Sequence, residues 1–195
     1  AGVGQKVAEI TERAMRGELD FRQALNERVA TLKGLPESIF DKVYARIHFN
    51  KGAKKLVDKL HARGFKVGLV SGGFHETVDR LAAEAGIDYV KANHLEVVDG
   101  VLTGKVYGEI VTKDVKVAKL KDWASENGLE LSQTIAMGDG ANDLPLSLIH
   151  ISEPTRRTPI TESVPLSQVE YGPSLILTLL PCFEWFHPLF VTIFG

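Results

Sequence analysis

The stretch Lys66–Phe74 reads KVGLVSGGF. Residues 66–71 form a short β-rich run, the pattern of a strand buried on both faces of a parallel sheet. Ser71 sets a hydroxyl directly after that run, and Gly72 and Gly73 allow the backbone to approach a ligand closely. A helix is expected over residues 74–85, ended by Gly86. A hydroxyl, two glycines and a helix start suit an anion, because N–H groups at the helix N-terminus can donate to it. The same letters also make a plain tight turn between strand and helix.

Outward from this stretch, residues 53–63 predict an amphipathic helix with Gly64 as its C-cap. Residues 89–92 predict a strand, and 94–98 and 101–106 flank Asp99-Gly100, a hairpin signal. Residues 113–127 predict a long helix stopped by Gly128. Residues 134–137 predict a second buried strand, which runs into a loop over 138–143. Strands that alternate with helices imply an α/β fold with a mainly parallel sheet. Ligands of such sheets sit beyond the carboxyl ends of the strands, where both Ser71 and Asp139 fall. Upstream, residues 5–16, 21–32 and 36–47 predict three helices, with Asp20 as N-cap of the second and Gly34 as its close. They form a small, charge-rich helical unit.

The loop Gly138-Asp139-Gly140-Ala141-Asn142-Asp143 offers two carboxylates and an amide after a buried strand. Hard oxygen donors of this kind suit Mg²⁺, and the same composition also makes an Asx-rich turn. Lys116, near the start of a helix, can reach over the sheet edge and offset phosphate charge. It can equally be a surface lysine like Lys113, Lys119 and Lys121. The histidines show no metal-ligand spacing, and His75, beside the Ser71 loop, reads as a solvated helix residue. On pattern alone Met15 and Phe21 are packing residues and Arg28 is a surface charge.

The chain has 195 residues, 44% of them hydrophobic and 25% charged, with net charge -2. That is enough for one domain with a core, and there is no basic excess to suggest nucleic acid. A single cysteine, Cys182, allows no internal disulfide and fits a reducing cytoplasm. The apolar stretch 174–195 has the length of a membrane span, but Pro181, Glu184, His187 and Pro188 break it. Membrane association is therefore not expected.

These strings resemble the phosphoserine phosphatase family of the haloacid dehalogenase superfamily. LVSGGF (69–74) and GDGANDLP (138–145) resemble its second and fourth motifs, and AMRGELDFRQALNERVATLKGLP (14–36) its helical cap. ANHLEVVDGVLTG (92–104) fits its hairpin. The resemblance covers about residues 1–145 and implies a Rossmann-like core (51–145) with a small helical cap (1–50). It also implies Mg²⁺ and hydrolysis of a small molecule, O-phospho-L-serine, through an aspartyl-phosphate, the last step of serine biosynthesis. By the same resemblance Ser71 and the Gly72 amide hold the phosphate, and Lys116 braces phosphate and nucleophile. Asp139 binds Mg²⁺, Asn142 contacts substrate, and Asp143 supports Lys116 or metal-bound water. Arg28 clamps the substrate carboxylate, with Met15 and Phe21 on the substrate side.

Two departures stand out. The family's Asp-x-Asp-Ser/Thr motif, which supplies nucleophile and general acid/base, is expected shortly upstream of Ala1, and no two aspartates of this chain are two apart. The central strand carrying that motif is then missing from the sheet. The strands at 66–70 and 134–137 are expected to show unpaired edges or to pair with each other, with low stability and no phosphatase activity. The second departure is LSLIHISEPTR (146–156), which resembles a translated sequencing adaptor. Residues 146–195 are accordingly expected to be a non-native tail. Two other readings stay open: a phosphatase or phosphotransferase for another small phosphate ester, and a non-catalytic binding or membrane-tethered module.

Overall fold

In a computed structural model, which describes residues 2–49, 52–137 and 175–180, three helices precede the sheet: α1 (Gly4–Met15), α2 (Phe21–Ala30) and α3 (Ile39–Tyr44). Asp20 caps α2 as the sequence implies. Its side chain accepts from the Gln23 N–H at 2.8 Å, and the Gln23 side chain accepts from the Asp20 N–H at 2.9 Å, a reciprocal capping box. Helix α4 (Ala53–His61) leads into β1 (Lys66–Phe74), then α5 (His75–Ala85), β2 (Tyr89–Val98), β3 (Val101–Tyr107), α6 (Lys113–Glu126) and β4 (Thr134–Met137). A last strand, β5, spans Leu175–Leu180.

The sheet runs in the order β3-β2-β1-β5-β4. Strands β2, β1, β5 and β4 are parallel neighbours, and β3 lies antiparallel on β2. This differs from the expectation for β1 and β4, which neither stand open nor pair with each other. β5 lies between them, with Leu177 opposite Gly68 on one side and Ala136 on the other. The segment LILTLL is apolar apart from Thr178, a composition that suits a strand of a parallel sheet, and its insertion removes two sheet edges.

Two further differences concern strand ends. β1 continues through Ser71, Gly72 and Gly73 to Phe74, where the sequence suggests a turn. Its register against β2 shifts between Val70 and Phe74, so those three residues form an irregular stretch inside the strand. β2 is one continuous strand, which pairs with β1 through Val70↔Lys91 and Phe74↔Asn93 and with β3 from His94↔Tyr107 onward. Asp99 (φ 50°) and Gly100 (φ 73°) close the hairpin with two left-handed residues.

Side chains alternate across β1. Val70 packs with Val111, Leu120, Trp123 and Ala124 of the α6 layer. Leu69 packs with Val78, Ala82 and Ala92, while Val67 meets Val57, Leu60 and Phe65 of the α4 region. Helices therefore cover both faces. Each Val, Leu or Phe side chain among them contributes about 1.5–3 kcal/mol on burial. The helical unit docks on the hairpin: Leu25 and Val29 of α2 pack with Leu95, Leu102 and Ile110. Main-chain bonds Gly34 N–H to Leu102 O and Leu102 N–H to Leu35 O, both 2.9 Å, fix that docking. Gly104 (φ 82°) lies so close that a Cβ there would stand 2.9 Å from Lys33 Cβ and 3.3 Å from Ala30.

Candidate phosphate-binding site

The irregular stretch of β1 is built around Ser71, which is buried at 3% exposure. Its Oγ accepts from the Gly73 N–H at 2.9 Å, which leaves the hydroxyl proton to donate elsewhere. A Cβ on Gly73 would stand 3.1 Å from that Oγ, so a side chain there would press on the serine hydroxyl. Helix α5 starts immediately afterwards at His75, from an extended Phe74 whose side chain makes no capping bond.

Lys116 lies in the first turn of α6. Its N–H donates to Thr112 O at 3.0 Å, and Thr112 caps the helix by accepting from the Val115 N–H. At 5% exposure Lys116 is buried, not the surface lysine that composition allows. A buried lysine is rare, because desolvation disfavours its charge. Helix α6 is pressed onto β1 through the Val70, Val111 and Leu120 cluster. Ser71 and Lys116 thus belong to two elements that share one core.

Arg28 is also buried, at 9% exposure, where its pattern suggests a surface charge. Its Nη2 donates to Thr11 Oγ1 at 3.0 Å, and that hydroxyl donates to Val7 O at 2.8 Å. The guanidinium is therefore anchored between α2 and α1. Phe21 is half-buried against the cluster of Leu25, Val29 and Leu95, while Met15 at the end of α1 is 84% exposed. Asp139, Asn142 and Asp143 lie outside the described residues. Among the described residues no three His, Cys, Asp or Glu side chains come together to hold a metal ion, and no helix is long and apolar enough to cross a membrane.

Two residues near Ser71 carry structure that sequence reading misses. His75 is not solvated: its Nε2 accepts from the Ala92 N–H at 3.0 Å and its Nδ1 then donates to Asp79 Oδ1 at 2.7 Å. The main-chain donor fixes the tautomer. Its ring stacks on His94, with centroids 4.1 Å apart. Asn93 is wholly buried. It donates from Nδ2 to Gly72 O and accepts at Oδ1 from the Val111 N–H, both at 2.8 Å. The available signal was a lone amide in the gap between two predicted strands.

A family model for haloacid dehalogenase-like hydrolases matches residues 4–147. The chain belongs to this family. Among haloacid dehalogenase-like hydrolases it is 91% identical over 146 residues to a phosphoserine phosphatase of Streptococcus thermophilus, covering 75% of this chain and 68% of that one. A phosphoserine phosphatase of Lactococcus lactis subsp. lactis is 60% identical over 146 residues, with the same coverage of 75% and 68%. Among solved structures, a phospho-aspartyl intermediate analogue of phosphoserine phosphatase superposes with a TM-score of 0.67 at 40% identity, covering 76% of this chain and 71% of that one. In this haloacid dehalogenase-like chain, the matched region contains Ser71, Lys116 and the sequence Gly138 to Asp143. β5 lies beyond it.

Proposed function

We propose that this chain carries the phosphate-binding and substrate-clamping parts of a Mg²⁺-dependent phosphatase for O-phospho-L-serine. The observation that supports this reading is that Ser71 and Lys116 are both buried, on β1 and α6, two elements that share one core. The substrate comes from the phosphoserine phosphatases that the chain resembles.

In this reading the Ser71 hydroxyl and the Gly72 N–H donate to phosphoryl oxygens, and the Lys116 ammonium offsets their charge. The planar fork of Arg28 receives the substrate carboxylate, which suits a guanidinium better than an ammonium. The helical unit of α1 to α3 keeps water from the ester until the first transfer is complete. Mg²⁺, which the hard oxygens of Asp139 would hold, would supply further charge stabilisation on the phosphoryl group, and Asp143 would support Lys116 or metal-bound water. In the first transfer an aspartate carboxylate attacks phosphorus, and the serine oxygen leaves with a proton from a neighbouring acid. Water then hydrolyses the acyl phosphate and regenerates the carboxylate. Residues 1–195 contain no Asp-x-Asp pair for that role, so the chain alone is expected to bind phosphate without turning over phosphoserine. The reaction belongs to the end of serine biosynthesis, in the cytoplasm.

Calorimetric titration of the full chain with inorganic phosphate, with Mg²⁺ present, tests this. Binding that is lost in Lys116→Ala and in Ser71→Ala supports the reading. Absence of binding, or binding that both variants keep, refutes it. Phosphoserine should lose affinity in Arg28→Ala more than phosphoethanolamine does. Equal losses would favour a different phosphate ester.

A further inference from the structure

We infer that Asn93 is a positioning residue that holds the Ser71–Gly73 stretch and the start of α6 in one fixed relation, so that phosphate meets both at once. This rests on the function proposed above.

The geometry carries the inference. Residues 71–73 fall where the β1–β2 register shifts, between Val70 and Phe74. Regular ladder bonds are interrupted there, and a buried carbonyl without a donor is costly. Asn93 Nδ2 supplies the donor to Gly72 O. On its other side, Val111 lies between β3 and α6, outside both. Val111 is 1% exposed, and its N–H finds its acceptor in Asn93 Oδ1. One neutral side chain therefore satisfies two buried main-chain groups from two segments.

Few residues can do this. Aspartate keeps the acceptor but loses the donor, and leucine loses both at similar volume. The neighbours of Asn93 act in the same direction. The Ala92 N–H donates to His75 Nε2 at 3.0 Å, and the Leu95 N–H donates to Glu76 Oε1 at 3.1 Å. Here β2 thus holds the first residues of α5 as well as the Gly72 carbonyl. Rotation of the peptide that joins Gly72 to Gly73 would swing the Gly72 carbonyl and the Gly73 N–H together, because that unit is planar, and the Gly73 N–H is the group that donates to Ser71 Oγ. Release of Val111 would free the segment that leads to Thr112 and Lys116. A merely structural amide would stabilise the chain without setting the distance between these two groups.

The experiment uses the full chain with Asn93→Asp and Asn93→Leu. Inorganic phosphate affinity is measured by calorimetry in Mg²⁺, and amide hydrogen exchange by NMR. Phosphate binding should weaken tenfold or more in both variants. In Asn93→Asp, which keeps the acceptor for Val111, the Lys116→Ala substitution should cost less affinity than it costs in the parent chain. Exchange of the Val111 and Lys116 amides should accelerate at least tenfold in Asn93→Leu, with Leu102 and Val106 of β3 unchanged. Phosphate affinity kept within twofold in a folded Asn93→Leu chain would overturn the inference. So would exchange that rises evenly across β2 and β3. Should Asn93→Leu fail to fold, the affinity and the Lys116 coupling in Asn93→Asp decide. Should the parent chain bind no phosphate, the proposed function falls, and the exchange pattern alone decides whether Asn93 ties Gly72 to α6.

Discussion

Replacing Asp88 with asparagine should remove a stabilising contribution that exists only above acidic pH. Asp88 sits in the connection between α5 and β2, at the amino-terminal end of β1. Its Oδ2 accepts from the Val67 N–H at 2.8 Å and lies 2.8 Å from His61 Nε2, while Oδ1 accepts from Lys66 Nζ at 2.8 Å. Burial pushes the carboxyl upward, but the bonds from Lys66, the Val67 amide and His61 outweigh it and hold the group below the usual carboxylate range. The sign follows directly. A depressed carboxyl in the folded chain stabilises it above the unfolded value of about 3.9, and that stability disappears as pH falls through the lower folded value.

Hydrogen bonds to a charged group contribute about 1.5–3 kcal/mol when buried. The Lys66 side chain is half exposed, so solvent screens that bond heavily. A net loss of about 1–2 kcal/mol at pH 7 is expected for Asp88→Asn, mostly through Val67. Urea melts of both chains at pH 7, 5 and 3 test it. The gap should persist from pH 7 to 5 and shrink below about pH 4. A gap that stays constant down to pH 3 would refute the electrostatic account and leave only shape.

Leu120→Ala should cost about 2–5 kcal/mol in urea melts, since Leu120 is 1% exposed between α6 and β1; a loss below about 1 kcal/mol would contradict that packing. Leu177→Pro removes an N–H from a strand paired on both sides and should cost at least about 2 kcal/mol through lost and orphaned bonds. An unchanged thermal midpoint would place β5 outside the sheet. Gly104→Ala should cost about 1–2 kcal/mol from its left-handed backbone alone, with more from the approach to Lys33, and an unchanged melt would count against the docking of α2 on the hairpin.

The buried runs at 66–71 and 134–137 identified the parallel sheet because a strand covered on both faces needs apolar residues throughout. The Asp20 cap and the Asp99-Gly100 turn were equally legible, since each works through local geometry. Where long-range packing decides, the letters were less informative. Two glycines after Ser71 look like a turn, yet β2 keeps the chain extended to Phe74. Asn93 falls in the gap between two predicted strands on paper, while in the fold it joins two buried peptide groups. Arg28 has the spacing of a surface charge until α1 covers it and Thr11 accepts its bond. The pairing of Leu175–Leu180 between β1 and β4 depends on contacts across most of the chain, which periodicity cannot express.

In the proposed function the irregular stretch of β1 and the α6 lysine grip the same anion. Titrating inorganic phosphate into isotope-labelled chain, while following the Gly72 amide and the Lys116 side-chain nitrogen together by NMR, tests this most directly. Both signals should move along curves with one shared dissociation constant. Two unrelated constants, or movement of one signal alone, would contradict it.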